Sequence, residues 1–314
     1  MTWRNSAFSV QYRRRISRLG GATPDGAQFD GNHTESRVIN AWKRKWGKLH
    51  QAAARQSHPV RWMASGLWAR LLYVSGLCSL FTIDRGLYRV RFSRSAMSLA
   101  MWRAHDYWRQ EEAFFRSRLL PGEFVIDVGA NIGVNALLSA ALVGPTGKVI
   151  AIEAYPQTFR YLQENIALNG FSNMVAYQYA IGANSGVTRF SRGLRDDSTN
   201  HVDEDGPIEV PLVSLDELLA EETREIDLLK VDVEGYERFV FAGASKTLAR
   251  TKAIFFEVSE RNFERFGYRT ADVLQVLADC GFASYVVEGP GGGDRVRADL
   301  IPERRMNLIA LRES

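Results

Sequence analysis

The sequence predicts an α/β fold: a largely parallel, doubly wound sheet with helices on both faces, preceded by a helical extension and a basic arm. Three observations predict it. Short apolar runs alternate with capped helices from Glu123 onward. The glycine loop Gly129-Ala130-Asn131-Ile132-Gly133 stands between the first strand and the first helix of that series. Acidic residues then recur at successive strand ends, where open sheets of this kind place their ligands.

In chain order, residues 1–60 come first as the basic arm. Up to Arg61 there are twelve Lys/Arg against three acids, a surplus of +9 in a chain of net charge +4, so the remainder carries −5. Such an arm suits an anionic surface, or is a solvated tail with no partner. No apolar run precedes Arg13-Arg14-Arg15, so no secretory leader is expected and the cytoplasmic side is the default. A peripheral place at the inner membrane face follows if the arm seeks lipid.

Residues 61–120 form the extension, hydrophobic and rich in arginine. Trp62 to Ile83 is long enough to consider for a bilayer, but Arg70 near its middle would cost about 2.5 to 3.5 kcal/mol there. A helix packed on the protein body is therefore expected, ahead of one lying in the interface. The matching partner expectation is peripheral contact with an anionic membrane through residues 1–83. Ser95 to Leu120 carries Met97, Met101, Ala104, Trp108, Phe115 and Leu119 at helical spacing. It reads as one helix covering the first strand, ended by Pro121-Gly122.

The body spans residues 121–314. With 46% apolar and 24% charged residues, a chain of 314 residues buries a full core, which excludes disorder as the main state. Cys78 and Cys280 make neither metal nor redox spacing and are expected as buried thiols. Strands are expected at Phe124–Asp127, Lys148–Ile152, Val175–Ile181, Ile226–Val231 and Ala253–Val258, with extra strands at Val187–Phe190 and Ile208–Val213. Helices are expected at Val134–Val143, Pro156–Asn169 and Tyr236–Arg250, with a short one to about Glu221 behind the capping box Ser214/Glu217. Thr270 caps a further helix that stops at Gly281, and Phe282–Val287 and Met306–Leu311 close the sheet. Gly289 to Gly293 reads as a turn between those last strands.

Asp127, Glu153, Asp232, Glu234 and Glu257 all fall at or near strand ends, which points to a functional cleft. Glycine loops also serve nicotinamide and flavin enzymes, whose pyrophosphate sits at the helix start. Asp127 would repel such phosphates. S-adenosylmethionine, cationic and free of phosphate, removes the conflict. Its amino group suits Asp127, and Gly129, Ala130, Asn131 and Gly133 form the loop that receives it. Glu153, 20 residues after Gly133, is placed for ribose hydroxyls, and Tyr155 for the edge of the adenine pocket.

These motifs resemble the FkbM family of S-adenosylmethionine-dependent methyltransferases over about residues 107–314. The matching elements are Pro121-Gly122 with VIDVGANIG (Val125–Gly133), then Glu153, Pro156, Phe159, Leu162, Asn165 and Asn169. Ser214 to Leu218, LKVDVEGYE (Leu229–Glu237), Gly243-Ala244 and Phe256-Glu257 follow. The resemblance implies a class I methyltransferase fold, Rossmann-like and mostly parallel with the last strand antiparallel. It also implies O-methylation of a hydroxyl of a sugar, glycolipid or natural product. Asn135 departs from the family pattern, where Thr, Ser or Tyr is expected, and the arm lies outside the match.

Methyl transfer needs alignment of donor and acceptor and a group to take the hydroxyl proton. Asp232 is the first candidate, then Glu234 and Glu257, with His201 as a base carried by the loop Arg195–Gly206 if that loop closes. The carboxylates leave room for a divalent cation, but the spacing does not indicate one. Lys230 is placed either to pair with one of them as a structural strut or to take part in the reaction. The competing readings are a binding or scaffold module that works through its arm, and an NAD-dependent oxidoreductase. The partner expected is a small-molecule or glycan acceptor; nucleic acid is disfavoured, since no NPPY-like element for a flipped base follows strand four.

Overall fold

The computed structural model describes residues 59–104, 106–191, 200–286 and 306–312. The chain divides into two compact units, Met1–Met63 and Ala64–Ser314. The basic arm, Gly289–Gly293 and the first part of the loop Arg195–Gly206 lie outside the described residues.

The extension begins with α1 (Pro59–Ser75) and a 3-10 turn (Leu77–Leu80). A hairpin of β1 (Thr82–Asp84) and β2 (Arg89–Arg91) follows, then α2 (Ala96–Arg103) and α3 (Arg109–Arg118). The body opens with β3 (Phe124–Val128), α4 (Val134–Val143), β4 (Lys148–Ile152), α5 (Pro156–Asn169) and β5 (Met174–Tyr177). Next come β6 (Ala180–Ile181), β7 (Gly186–Phe190), β8 (Ile208–Val213), α6 (Leu215–Leu218) and β9 (Leu228–Val231). The remaining elements are α7 (Glu237–Ala242), α8 (Ser245–Ala249), β10 (Ala253–Val258), α9 (Glu260–Arg265), α10 (Thr270–Asp279), β11 (Phe282–Val286) and β12 (Met306–Arg312).

Seven strands form one sheet in the order β11-β12-β10-β9-β3-β4-β5, with β12 antiparallel to both neighbours and the rest of the contacts parallel. This is the expected mostly parallel sheet with an antiparallel last strand. Period-two alternation divides its side chains between two cores. Val125, Val149, Ala151 and Phe255 face α4, α5 and the extension, whereas Phe124, Ile126, Ile150 and Phe256 face α7, α8 and α10. A sheet covered on both sides explains why its strands read as continuous apolar runs.

Several expectations need correction. Ser95 to Leu120 is two helices, because Trp108 takes a left-handed backbone (φ 71). Its Nε1 donates to Asn135 Oδ1 at 2.8 Å, a tertiary bond that a continuous helix would not make. The extension also contains the β1–β2 hairpin, too short to show in the pattern. Its outer edge is closed by two α5 side chains one turn apart: Asn165 Oδ1 accepts from Arg91 N (2.7 Å) and Asn169 Oδ1 from Arg89 N (2.8 Å). The third strand splits, with β5 staying in the main sheet and β6 pairing with β8 in a second sheet completed by β7.

The helix after the fourth strand also divides, at Gly243. A Cβ there would stand 2.1 Å from the Gly182 carbonyl oxygen, so only glycine fits where the two segments meet. The helix behind Ser214 stops at Leu218, and α9 is an additional element. At α10 the cap is Arg269, whose amide donates to Asp272 Oδ2 at 2.8 Å, while Thr270 instead donates its hydroxyl to Glu260 at 2.6 Å. Cys78 is buried as expected, but Cys280 is only half-buried. Among the described residues no helix is long and apolar enough to cross a membrane.

Candidate active site

A cavity of about 400 Å³ opens at the carboxyl ends of β3, β4 and β9. This is where the sheet order reverses, with β4 and β5 on one side of β3 and β9 and β10 on the other. Of the residues singled out from sequence, Gly129, Ala130, Asn131, Glu153, Asp232, Glu234 and Glu257 line it. Asp127, Gly133, Tyr155 and His201 do not.

The glycines serve packing before they serve any ligand. Gly129 has φ 76, and a Cβ on it would fall 1.9 Å from the Asp232 carbonyl oxygen, so the loops after β3 and β9 touch through it. A Cβ on Gly133 (φ 95) would fall 2.6 Å from Leu162 Cδ1 on α5. Between them Asn131 is left-handed at φ 52, and its Oδ1 accepts from Ile132 N at 2.7 Å. Asn165, which closes the hairpin edge, also donates to Ile132 O at 2.8 Å, tying the extension to this loop.

Glu153 is oriented by two backbone amides. Asn131 N donates to Oε2 at 2.9 Å and Tyr155 N to Oε1 at 2.8 Å. A carboxylate has about four acceptor positions, so two remain for a ligand's hydroxyls. Burial pushes its pKa up to about 7, against the pull of those amides. Tyr155 itself is not in the lining but packs against Ala180, Phe190 and Val202, which are.

Beneath the cavity Lys230 Nζ lies 2.9 Å from Asp127 Oδ1, 2.9 Å from Gly129 O and 3.7 Å from Asp232 Oδ2. Burial works against the ammonium, but Asp127 and then Asp232 hold its pKa above the usual lysine range. Burial likewise raises Asp127, with Lys230 pulling it back. Asp127 is 1% exposed and its Oδ1 pairs with Lys230. The strut expected of Lys230 is the arrangement found.

One wall brings Asp232, Glu234 and Glu257 together, each offering an oxygen within 4.8 Å of the others. Glu234 has φ 53 and accepts from Asn262 Nδ2 at 2.9 Å. That spacing suits either a divalent cation or a cationic ligand. His201 turns the other way. Its extended segment points Asn200 and Val202 into the cavity and the imidazole out, where Nδ1 lies 3.2 Å from Ser191 Oγ.

Sequence reasoning missed the roof. Met97, Tyr107, Trp108 and Glu111 of the extension line the cavity. Glu111 Oε1 accepts from Asn307 Nδ2 of β12 at 3.0 Å. Burial pushes the Glu111 carboxyl up to about 7, with Asp232 adding to the rise and the Asn307 bond opposing it. Asn135, the departure from the family pattern, is where Trp108 attaches. The available signal was the helical stripe containing Trp108, read only as core.

The family described as "Methyltransferase FkbM domain" matches residues 127–284. Hexuronic acid methyltransferase AglP of Haloferax volcanii is 26% identical over 206 residues, covering 64% of this chain and 81% of that protein. The 2-O-methyltransferase NoeI of Sinorhizobium fredii is 29% identical over 161 residues, covering 45% of this chain and 65% of NoeI. Among solved structures, a methyltransferase FkbM from Methylobacillus flagellatus has 18% identity and a TM-score of 0.42, covering 68% of this chain and 52% of that one.

Proposed function

The chain belongs to the FkbM methyltransferase family, and on that premise we propose that it moves the methyl group of S-adenosylmethionine to a hydroxyl of a sugar. The observation that carries this reading is the charge of the cavity. Glu111, Glu153, Asp232, Glu234 and Glu257 line it, with Lys230 as the single cation among the lining residues. Such a site repels a pyrophosphate and favours a cationic cofactor, which sets the oxidoreductase reading aside.

The residues present fit that cofactor. Glu153 keeps two acceptor positions for ribose hydroxyls, and Ile152, Ala154 and Ile181 offer an apolar wall for a base. The loop Gly129–Asn131 and the wall of Asp232, Glu234 and Glu257 take the charged end. Bound there, S-adenosylmethionine supplies an electrophilic methyl carbon on sulfur. The acceptor oxygen must shed its proton as it is methylated. Asp232, with Glu234 and Glu257 beside it, is the group expected to receive that proton, and Glu111 on the roof faces the same space. Water exclusion falls to Tyr107 and Trp108.

A sugar acceptor draws support from the relatives, one named for a hexuronic acid and one for a 2-O position. The carboxylates here favour a neutral sugar hydroxyl over a uronic acid close to the reacting centre. Thermal denaturation with S-adenosylhomocysteine and with NAD is the first test, since a ligand held at about 100 times its Kd adds about 2.7 kcal/mol. A rise in Tm with the former alone is expected; a rise with NAD alone overturns the proposal. Labelled methyl transfer to neutral and uronic glycosides then tests the acceptor class.

A further inference from the structure

Away from the cavity, the exposed large apolar side chains are unevenly spread. Thirteen occur among the described residues, and seven of them lie between Leu67 and Phe81. On α1, Ala69 and Leu72 are buried, while Leu67 (64% exposed), Leu71 (55%) and Val74 (69%) share the opposite face with Trp68 at its edge. Leu77 and Leu80 of the 3-10 turn prolong it. A helix with a second apolar face left open is the signature of an interaction surface.

The charges around that face say what covers it. From Pro59 to Ile83 the charged residues are Arg61 and Arg70, with no acid. Arg70 is exposed at the border, the Arg103 guanidinium lies against Gly66, and Arg91 Nη1 donates to Ser79 O at 2.9 Å. The sequence before α1 adds a surplus of +8. A second copy docked face to face would set this basic rim against itself. An anionic bilayer satisfies both features: apolar side chains enter the acyl boundary and arginines stay at the headgroups.

We propose that α1 and its 3-10 turn form a peripheral docking surface for an anionic membrane, with α1 lying in the plane of the interface. The surface is independent of methyl transfer, so its failure would leave the proposed activity untouched.

Vesicle sedimentation with the full chain tests it, using phosphatidylcholine alone and phosphatidylcholine with about one-quarter phosphatidylglycerol. Binding to the anionic vesicles is expected. It should fall about tenfold or more in Leu71→Glu/Val74→Glu, whose positions are exposed, and persist in the control Val187→Glu. Quenching of tryptophan fluorescence by brominated lipid should occur in the parent chain and be reduced in Trp68→Phe. Binding that survives the double substitution, quenching unchanged in Trp68→Phe, or a dimer in solution that the double substitution dissociates would each overturn the proposal.

Discussion

Lys230 Nζ stands 2.9 Å from Asp127 Oδ1; both residues are buried, and Lys230 lines the cavity where Asp127 does not. The same ammonium reaches Gly129 O and Asp232, so one cation joins the ends of β3 and β9. Asp127 therefore shapes the site through the lysine it holds.

Removing that cation leaves a buried carboxylate alone. Lys230→Met is expected to lose about 3–5 kcal/mol of stability by urea denaturation. Adding Asp127→Asn should restore much of the loss, because the stranded charge is then gone. A single variant as stable as the parent would contradict the ion-pair assignment.

Glu153 should make cofactor affinity depend on pH. Its carboxyl has a pKa of about 7, and ribose hydroxyls donate better to the ionised form. S-adenosylhomocysteine should bind more tightly as pH rises through that value, measured by titration calorimetry. Glu153→Ala should weaken binding about 10- to 100-fold and flatten the dependence. A parent affinity indifferent to pH would exclude the ribose role.

Glu111 offers a distinct kinetic signature. With a pKa of about 7, its ionisation should appear as a rise in kcat through neutral pH. Glu111→Gln is expected to abolish that limb and to lower kcat by less than the corresponding change at Asp232, the group placed to take the proton. Affinity for S-adenosylhomocysteine should be retained. Equal losses in both measurements would mean that the residue merely holds the roof.

Glu237, in the family motif but off the cavity, controls stability instead. It is 1% exposed, its Oε1 accepts from Val233 N at 3.0 Å, and Oε2 is buried with no hydrogen-bond partner. Burial pushes its pKa up to about 8. A folded-state pKa above the unfolded value of about 4.3 stabilises the fold below that value and loses the contribution as pH rises through 8. Glu111 and Glu153 act in the same direction up to about 7. Glu237→Gln should flatten the upper part of the decline, read from urea midpoints; a Glu237→Gln curve as steep as the parent's would count against this.

The body was legible because its signals are local. The ranges of α4, β4, α5 and β10 follow from apolar runs, Pro156, and the glycines at 144 and 170. What escaped depends on distant partners. Trp108 breaks a helix for the sake of Asn135, and Asn165 and Asn169 close a three-residue strand about 75–80 positions away. The acids at strand ends gave four of the five carboxylates that line the cavity, all but Glu111. His201 lies off it because one residue of register turns an extended side chain to the other face. Asp127 lies off it because it is buried against Lys230, the second residue of the motif LKVDVEGYE.

The roof helix α3 lies outside the stretch that defines the family, yet it contributes Glu111 to the wall, and Trp108 just before it ties to Asn135. One side of the cavity is therefore supplied by residues that the family match, which begins at residue 127, does not include. A chain cut back to the matched stretch would keep the acids at the sheet's edge and lose that side of the cavity.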